Sequence, residues 1–347
     1  MSEYDKLCDF QNLYRAYRKT RRGKGEKAEA ISFELKLGEN LARISRSLSE
    51  RTYRPADYYS FTVKDPKERE IHALHFEDRV VQHCLCDEIL AKDIEPKLIY
   101  DNAACRIGKG THFAMGRLSR FMCEHYRRYG CDGYILKTDI RKYFDSIDHE
   151  VLKEKLFKVV RDEDVRKLLY LIIDSYEKES GKGLPLGNQT SQWFALYYLD
   201  PIDRLVKERF RIRGYVRYMD DSVLVGNDKN ELKEVLFAMR TLARKELKLE
   251  FNEKTEIVPM KQGVDFLGFH FYLTETGRVV KKLRTQAKKR YKRKLKELSY
   301  EFAEGIKDFD SVRDSLTSLN AHIAHGDTWR MKESAMKDFV LIHYLSE

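Results

Sequence analysis

The sequence is short of the features that mark most specialised chain classes. With 6 prolines and 18 glycines in 347 residues and no internal repeat, it is neither collagenous nor low in complexity. Its six cysteines (Cys8, Cys84, Cys86, Cys105, Cys123, Cys131) are scattered with no repeated two-residue spacing, so neither a disulfide framework nor a zinc ribbon is expected. They read as reduced thiols, mostly buried. Cys84 and Cys86 lie two apart on a helical stretch, where such positions do not share a face. The ten histidines show no metal-ligand spacing. The two tryptophans, Trp193 and Trp329, read as core or helix-packing residues. No apolar run approaches the roughly 18 residues of a membrane span. The start MSEYDKLCDF lacks the basic and apolar regions of a secretion signal, so a soluble, cytoplasmic protein with no membrane partner is expected.

What is present begins with charge. Lysine and arginine number 66 against 56 acidic residues, a net +10. Eleven basic residues and no acid lie between Arg278 and Lys296, while the other 328 residues sum to −1, so the excess sits in one segment. Leu283, Ala287, Tyr291, Leu295 and Leu298 recur there at intervals of four, four, four and three, which predicts one amphipathic helix with a cationic outer side. A merely solvated face usually mixes signs. A face of one sign meets phosphates or anionic lipid, with nucleic acid the stronger reading.

Along the chain, FQNLYRAYRKT and FELKLGENLARISRSLSE predict helices separated by a basic break, RRGKGEK. YYSFTVKDPKEREIHAL predicts two extended runs around Asp65-Pro66, followed by a helix over FEDRVVQHCLCDEILAKDI. A further helix is expected over 109–129, a buried strand over YILKTDI, and helices over HEVLKEKLFKVV and VRKLLYLIIDSY. The Gly-rich SGKGLPLGNQTSQ then runs into an apolar helix beginning at Trp193, so a loop that approaches something closely precedes a helix N-terminus.

YVRYMDDSVLVG is the strongest local signal. Two apolar runs flank Met219, Asp220 and Asp221, which predicts a tight hairpin with adjacent carboxylates at its tip. Asp139 ends another buried apolar run. Carboxylates gathered at buried strand ends need a counter-cation, and Mg²⁺ takes carboxylate oxygens. Two such ions about 3.5–4 Å apart activate a hydroxyl and stabilise a leaving pyrophosphate. The residues therefore point to metal-dependent phosphoryl transfer on nucleotides.

These blocks carry a resemblance over nearly the whole chain. LKTDIRKYFDSIDH and YMDD resemble the two catalytic motifs of reverse transcriptases in their order and spacing. VKDPKEREI with FEDRVVQ resembles their finger blocks, LEFNEKTEIV the palm segment, VDFLGFHF the primer grip and SLNAHIAHGDTWRM the thumb. Where most members have Gln-Gly-x-x-x-Ser-Pro, Leu186 precedes Gly187 and Gln192 follows Ser191, as in reverse transcriptases of diversity-generating retroelements. The resemblance implies an α+β right-hand polymerase. Its fingers would span 1–130, a palm on a split β-α-β sheet 131–275 (with a helical insertion near 150–183), and a basic helical thumb 276–347. It implies a bacterial or phage-encoded enzyme that copies a template-repeat RNA into cDNA with errors at adenines, using deoxynucleoside triphosphates. A pentameric basic accessory variability protein would be its partner. A reverse transcriptase of antiviral-defence or group II intron type is the alternative, and an idle RNA-binding scaffold a third reading.

The same resemblance assigns roles. Asp139, Asp220 and, more weakly, Asp221 would hold two Mg²⁺ ions (Mn²⁺ substituting) with the Ile140 carbonyl. Phe144 would exclude a ribose 2′-hydroxyl, while its neighbour Tyr143 packs. Lys64 and Arg69 would hold the triphosphate, and Lys254 would protonate the pyrophosphate. Gly187 admits the nascent base pair. Leu186 replaces an amide there and Gln192 restores one nearby, which loosens geometric checking; Leu186 packing against the following helix is the structural alternative. Arg79 would contact phosphate or pair with Asp78 or Glu77. Arg284, Lys288, Lys289, Lys292 and Arg293 would track the nucleic-acid backbone.

Overall fold

The computed structural model describes residues 2–64 and 68–342; of Arg69 only the backbone is described, and the expected turn at Asp65-Pro66 lies outside the described residues. Four helices open the chain: α1 (Glu3–Cys8), α2 (Phe10–Arg21), α3 (Ala28–Leu35) and α4 (Leu37–Ser49). Ser2 and Asp5 form a capping box on α1, and the Asp9 carboxylate accepts from the Asn12 amide at the start of α2. Leu13, Ala16, Tyr17 and Thr20 form the buried stripe of α2 at helical spacing. An antiparallel hairpin follows, β1 (Tyr59–Val63) with β2 (Arg69–Ala73), Phe61 facing Ile71. Then come α5 (Phe76–Leu85), a π-turn over Cys86–Leu90, α6 (Ala91–Ile94) and α7 (Thr111–Tyr129).

The central sheet comprises β3 (Tyr134–Thr138), β4 (Gly214–Tyr218), β5 (Asp221–Gly226) and β6 (Glu256–Pro259), antiparallel in the order β4-β5-β3-β6. Between β3 and β4 run α8 (Tyr143–Ser146), α9 (His149–Phe157), α10 (Glu163–Asp174), α11 (Gln189–Tyr198) and α12 (Asp200–Arg204), and α13 (Lys229–Glu246) joins β5 to β6. Side chains alternate across a strand. Leu136, Tyr215 and Leu224 accordingly pack with Phe194, Leu232 and Val235 of the helices on one side. Ile135, Val216 and Val223 pack on the other with Met115 and Leu118 of α7 and with the next sheet. Burial of both faces is why these strands read as largely apolar runs.

That next sheet is β7 (Val264–Phe266), β8 (Phe269–Leu273) and β9 (Val279–Leu283), followed by α14 (Thr285–Ala303), α15 (Phe309–Ile323) and α16 (Trp329–Met336). Four expectations change here. Leu283 does not belong to the amphipathic helix: Val279–Leu283 pairs with β8, Leu283 facing Phe269, and the helix begins at Thr285. The expected boundary at 275/276 therefore falls in the turn joining two strands of one sheet. The apolar helix expected from Trp193 starts earlier, at Gln189, so Gln192 sits in its first turn. Trp193 is buried, but Trp329 is 71% exposed. All six cysteines are free thiols, with Cys84 and Cys86 buried and Cys105 exposed.

Leu136 lies in the middle of β3 with 0% exposure. Leu136→Ala should cost about 2–5 kcal/mol through lost burial and an unfilled cavity. Leu35→Ala, at 81% exposure, should stay within about 0.5 kcal/mol. Urea unfolding of both variants checks the contrast.

Candidate active site

The register sets the site. Thr138 at the end of β3 lies opposite Ser222 near the start of β5, their hydroxyls 2.6 Å apart, so the residue after β3 meets the β4–β5 turn. That residue is Asp139. Its carbonyl accepts from the Asn252 amide at 2.7 Å, and Asn252 Nδ2 donates to Asp139 Oδ2 at 3.2 Å. Ile140 bridges Phe251 in a pair whose hydrogen bonds are made by Asp139 and Arg141, so its carbonyl is not used by that bridge.

The hairpin turn carries Asp220. Tyr218 pairs with Asp221, leaving a two-residue loop whose first position, Met219, takes φ +56°. A loop of this length favours such an angle, at a cost for a side chain other than glycine. A buried guanidinium holds it: Arg217 Nη1 donates to the Met219 carbonyl at 2.8 Å. Arg217 also binds Asp203 of α12 through both carboxylate oxygens, at 2.7 and 2.6 Å, and donates to the Leu196 carbonyl of α11 at 3.0 Å. Both side chains are 1% exposed or less, and Tyr215 donates its hydroxyl to the same carboxylate.

Burial pushes the Asp220 carboxyl up to about 6, with the Asp139 carboxylate adding to the shift. Burial likewise raises Asp221 to about 7, opposed by Lys137 and assisted by Asp139 and Asp220. Lys137 Nζ stands 4.0 Å from Asp221 Oδ2 and donates to the Asp265 carbonyl at 2.7 Å. Asp221 Oδ1 is buried without a hydrogen-bond partner. Crowded carboxylates with an orphaned oxygen suit a hard divalent cation. Among the described residues no group of three or more His, Cys, Asp or Glu side chains forms a ready-made metal cage. Mg²⁺ generally keeps only one or two protein carboxylates and completes its shell with water and substrate phosphates, so the donor set fits it.

The other expected site residues are more dispersed. Phe144 is half-buried, its ring at 70° to that of Tyr143, and its carbonyl accepts from the Leu184 amide at 2.8 Å. This ties it to the loop of Leu186 and Gly187. Tyr143 is fully packed, as expected. Gly187 is exposed at φ +111°, with Ile71 of β2 in van der Waals range of an added Cβ. It lines a cleft of about 520 Å³ with Lys24, Lys27, Tyr59, Phe61 and Arg79. An adjoining hollow of about 320 Å³ reaches Gln82, His83 and Gln192, whereas Leu186 lines neither. Lys64 is exposed just past β1, and Lys254 is exposed in the turn after Asn252. Arg69 lies on β2 with its side chain outside the described ones.

Arg79 pairs with Glu29 of α3 at 2.7 Å and meets the Tyr59 hydroxyl, in place of the expected Asp78 or Glu77. Those two acids are engaged by Tyr53 and Arg43. Of the cations expected to track nucleic acid, Arg284 is paired with Asp265 at 2.9 Å. Lys289, Lys292 and Arg293 are exposed and Lys288 half-buried, with no ion pair among the described residues. Sequence reasoning missed Asn252, Lys137, and the Arg217–Asp203 pair. A charged residue inside an otherwise apolar strand was the available signal for Arg217.

Carboxylates at the ends of adjacent antiparallel strands, with helices on one side and a second sheet leading into a helical segment, fit the right-hand polymerase fold. Residues 64–271, more than half of the chain, match the family described as "Reverse transcriptase (RNA-dependent DNA polymerase)", and the chain belongs to it. It is 22% identical to the putative COX1/OXI3 intron 2 protein of Saccharomyces cerevisiae, over 51% of this chain and 28% of that protein. It is also 22% identical to the group II intron-encoded protein LtrA of Lactococcus lactis subsp. cremoris, over 71% of this chain and 42% of that one. The chain thus spans less than half the length of these relatives. Among solved structures, telomerase from Candida albicans with a fragment of telomeric RNA aligns at TM-score 0.48 and 14% identity, covering 82% of this chain and 55% of that one. Apo telomerase from Candida tropicalis aligns at 0.47 and 14%, covering 65% and 54%.

Arg217→Met should destabilise the protein by about 3–5 kcal/mol, because Asp203 is left charged and buried. Adding Asp203→Leu should restore much of that stability without restoring primer extension, since the Met219 carbonyl remains unheld. Denaturant unfolding and single-turnover extension of the two variants separate the effects.

Proposed function

We propose that the chain polymerises deoxynucleotides on an RNA template. What carries this reading is the meeting of Asp139 with Asp220 and Asp221 in a chain of the reverse transcriptase family. Two Mg²⁺ ions, with Mn²⁺ able to substitute, would supply activation of the primer hydroxyl and neutralisation of the leaving pyrophosphate. Asp139 and Asp220 would hold them, with Asp221 and the Ile140 carbonyl as further ligands. Phe144 would discriminate against the 2′-hydroxyl, Lys64 and Arg69 would hold the triphosphate, and Lys254 would protonate the pyrophosphate. Residues 1–130 would serve as fingers, residues 131 through the β7–β8–β9 sheet as palm, and the helices from Thr285 onward as thumb, with Lys288, Lys289, Lys292 and Arg293 following the primer–template duplex.

The finer reading is a reverse transcriptase of a diversity-generating retroelement, copying a template-repeat RNA with errors at adenines beside a pentameric basic accessory protein. Leu186, which precedes Gly187, and Gln192, which lines the hollow adjoining the cleft, support it. A group II intron-type enzyme is the second reading, favoured by the match to the intron-encoded protein over 71% of the chain.

One assay tests both levels. Wild type should extend a DNA primer on RNA with Mg²⁺, and Asp139→Ala or Asp220→Ala should abolish extension while the protein remains folded. Sequencing of the cDNA should show errors concentrated opposite adenines. Leu186→Gln should lower them a few-fold to about tenfold, the worth of one net hydrogen bond of about 0.5–1.5 kcal/mol. Extension by either aspartate variant would remove the metal assignment. Equal accuracy at all four bases, with any accessory protein supplied, would leave the intron-type reading.

A further inference from the structure

A second basic surface lies away from the carboxylates, and the charge balance of the sequence conceals it. Residues 117–128 and 204–213 together hold nine basic residues and two acidic ones. Four of the nine are neutralised internally. Arg117 and Lys207 both meet Asp101, at 2.5 and 2.9 Å. Arg120 meets Glu124 at 2.7 Å, and Arg204 meets Asp200 and Glu208 at 2.8 and 2.9 Å. Arg127, Arg128, Arg209, Arg211 and Arg213 are exposed and have no ion pair among the described residues.

Three of these five, Arg128, Arg211 and Arg213, line one concavity of about 210 Å³, whose wall also includes His125, Tyr129 and Glu231. The guanidinium groups come from a tied backbone. Arg211 is held at φ +56°, the amides of Phe210 and Ile212 donate to Leu205 and Val206, and the Arg213 carbonyl accepts from Lys207 Nζ at 2.8 Å. The concavity sits where Gly214 pairs with Val225, at the end of the β4–β5 hairpin opposite the Met219–Asp220 turn. At roughly 3.3 Å per residue, about 15 Å of strand separates it from the carboxylates.

We propose that this concavity is an RNA-binding site outside the polymerase channel, taking the phosphodiester backbone of a folded part of the template RNA. The proposal rests on the reading that RNA is the template. The cations are arginines, whose planar fork binds phosphate bidentately. Tyr129, 47% exposed at the rim, offers a ring on which an unpaired base can stack. An acidic protein segment would satisfy the charges but would leave that ring unused.

The test is fluorescence anisotropy of the full chain with an RNA hairpin of about 16 base pairs, the length over which double-stranded RNA is read by shape. Salt is varied, and wild type is compared with R128Q/R211Q/R213Q. The variant should bind more weakly, and its log–log salt slope should fall by about 2–3, at up to about 0.9 per phosphate contact. Extension of a primer on a short unstructured RNA should keep the wild-type rate, which also reports that the variant is folded. An unchanged slope overturns the site. Equal loss of short-template extension places the arginines in the channel and overturns the separation. Loss of binding to polyglutamate with hairpin binding intact reassigns the surface to an acidic protein. Hairpin binding is read without catalysis, so an inactive wild type would defeat the polymerase reading and leave this comparison standing.

Discussion

A single enclosed ion pair organises the end of the central sheet that carries Asp139, Asp220 and Asp221. Arg217 and Asp203 are removed from water, and such a pair is tolerated only when its geometry is good and further hydrogen bonds support it. Here they do: the carboxylate takes the fork and the Tyr215 hydroxyl, and the guanidinium gives two further donors to the carbonyls of Leu196 and Met219. One group thereby locks the start of β4, the end of α11, α12 and the turn carrying Asp220 into a single arrangement. The left-handed angle at Met219 persists because the surrounding contacts over-determine it.

Around that fixed turn the site is built under electrostatic tension. Asp220 and Asp221 are half-buried beside Asp139, and desolvation together with proximity raises the energy of the charged forms. Lys137 relieves only part of this from 4.0 Å, since its ammonium is shared with the Asp265 carbonyl. Asn252 acts differently, fixing Asp139 by backbone and side chain without adding charge. Beyond Lys137 and the Asp203-paired Arg217, basic residues gather in the cleft of Lys24 and Lys27, on α14 and at the far end of the hairpin. Negative charge at the centre and positive charge at the periphery is the distribution that a polyanion reacting through metal ions requires.

Much of this was legible in the sequence, for identifiable reasons. Asp139 and Asp220 stood out because buried strands leave largely apolar runs, against which a carboxylate at the end is conspicuous. Asn252 did not, because a polar residue in a polar turn carries no contrast. The partner of Arg79 was misjudged because the acids adjacent in sequence are engaged elsewhere, while Glu29 is brought in by a helix 50 residues away. Leu283 matched the helical period by coincidence of spacing, and pairing with β8 overrode it. Trp329 shows that an apolar ring type does not by itself dictate burial.

The strand carrying Arg217 is also the outermost of its sheet, in the order β4-β5-β3-β6. An outer strand ordinarily exposes a row of unsatisfied amides and carbonyls on which another molecule's strand can grow. Here the Arg217 amide donates to the Asp101 carbonyl at 3.1 Å, and its own carbonyl accepts from Ala103 at 2.9 Å. Arg117 and Lys207 anchor the Asp101 side chain in turn. The segment thus acts as a clasp along the rim, so the β4–β5 hairpin offers no open template there for strand-by-strand self-association.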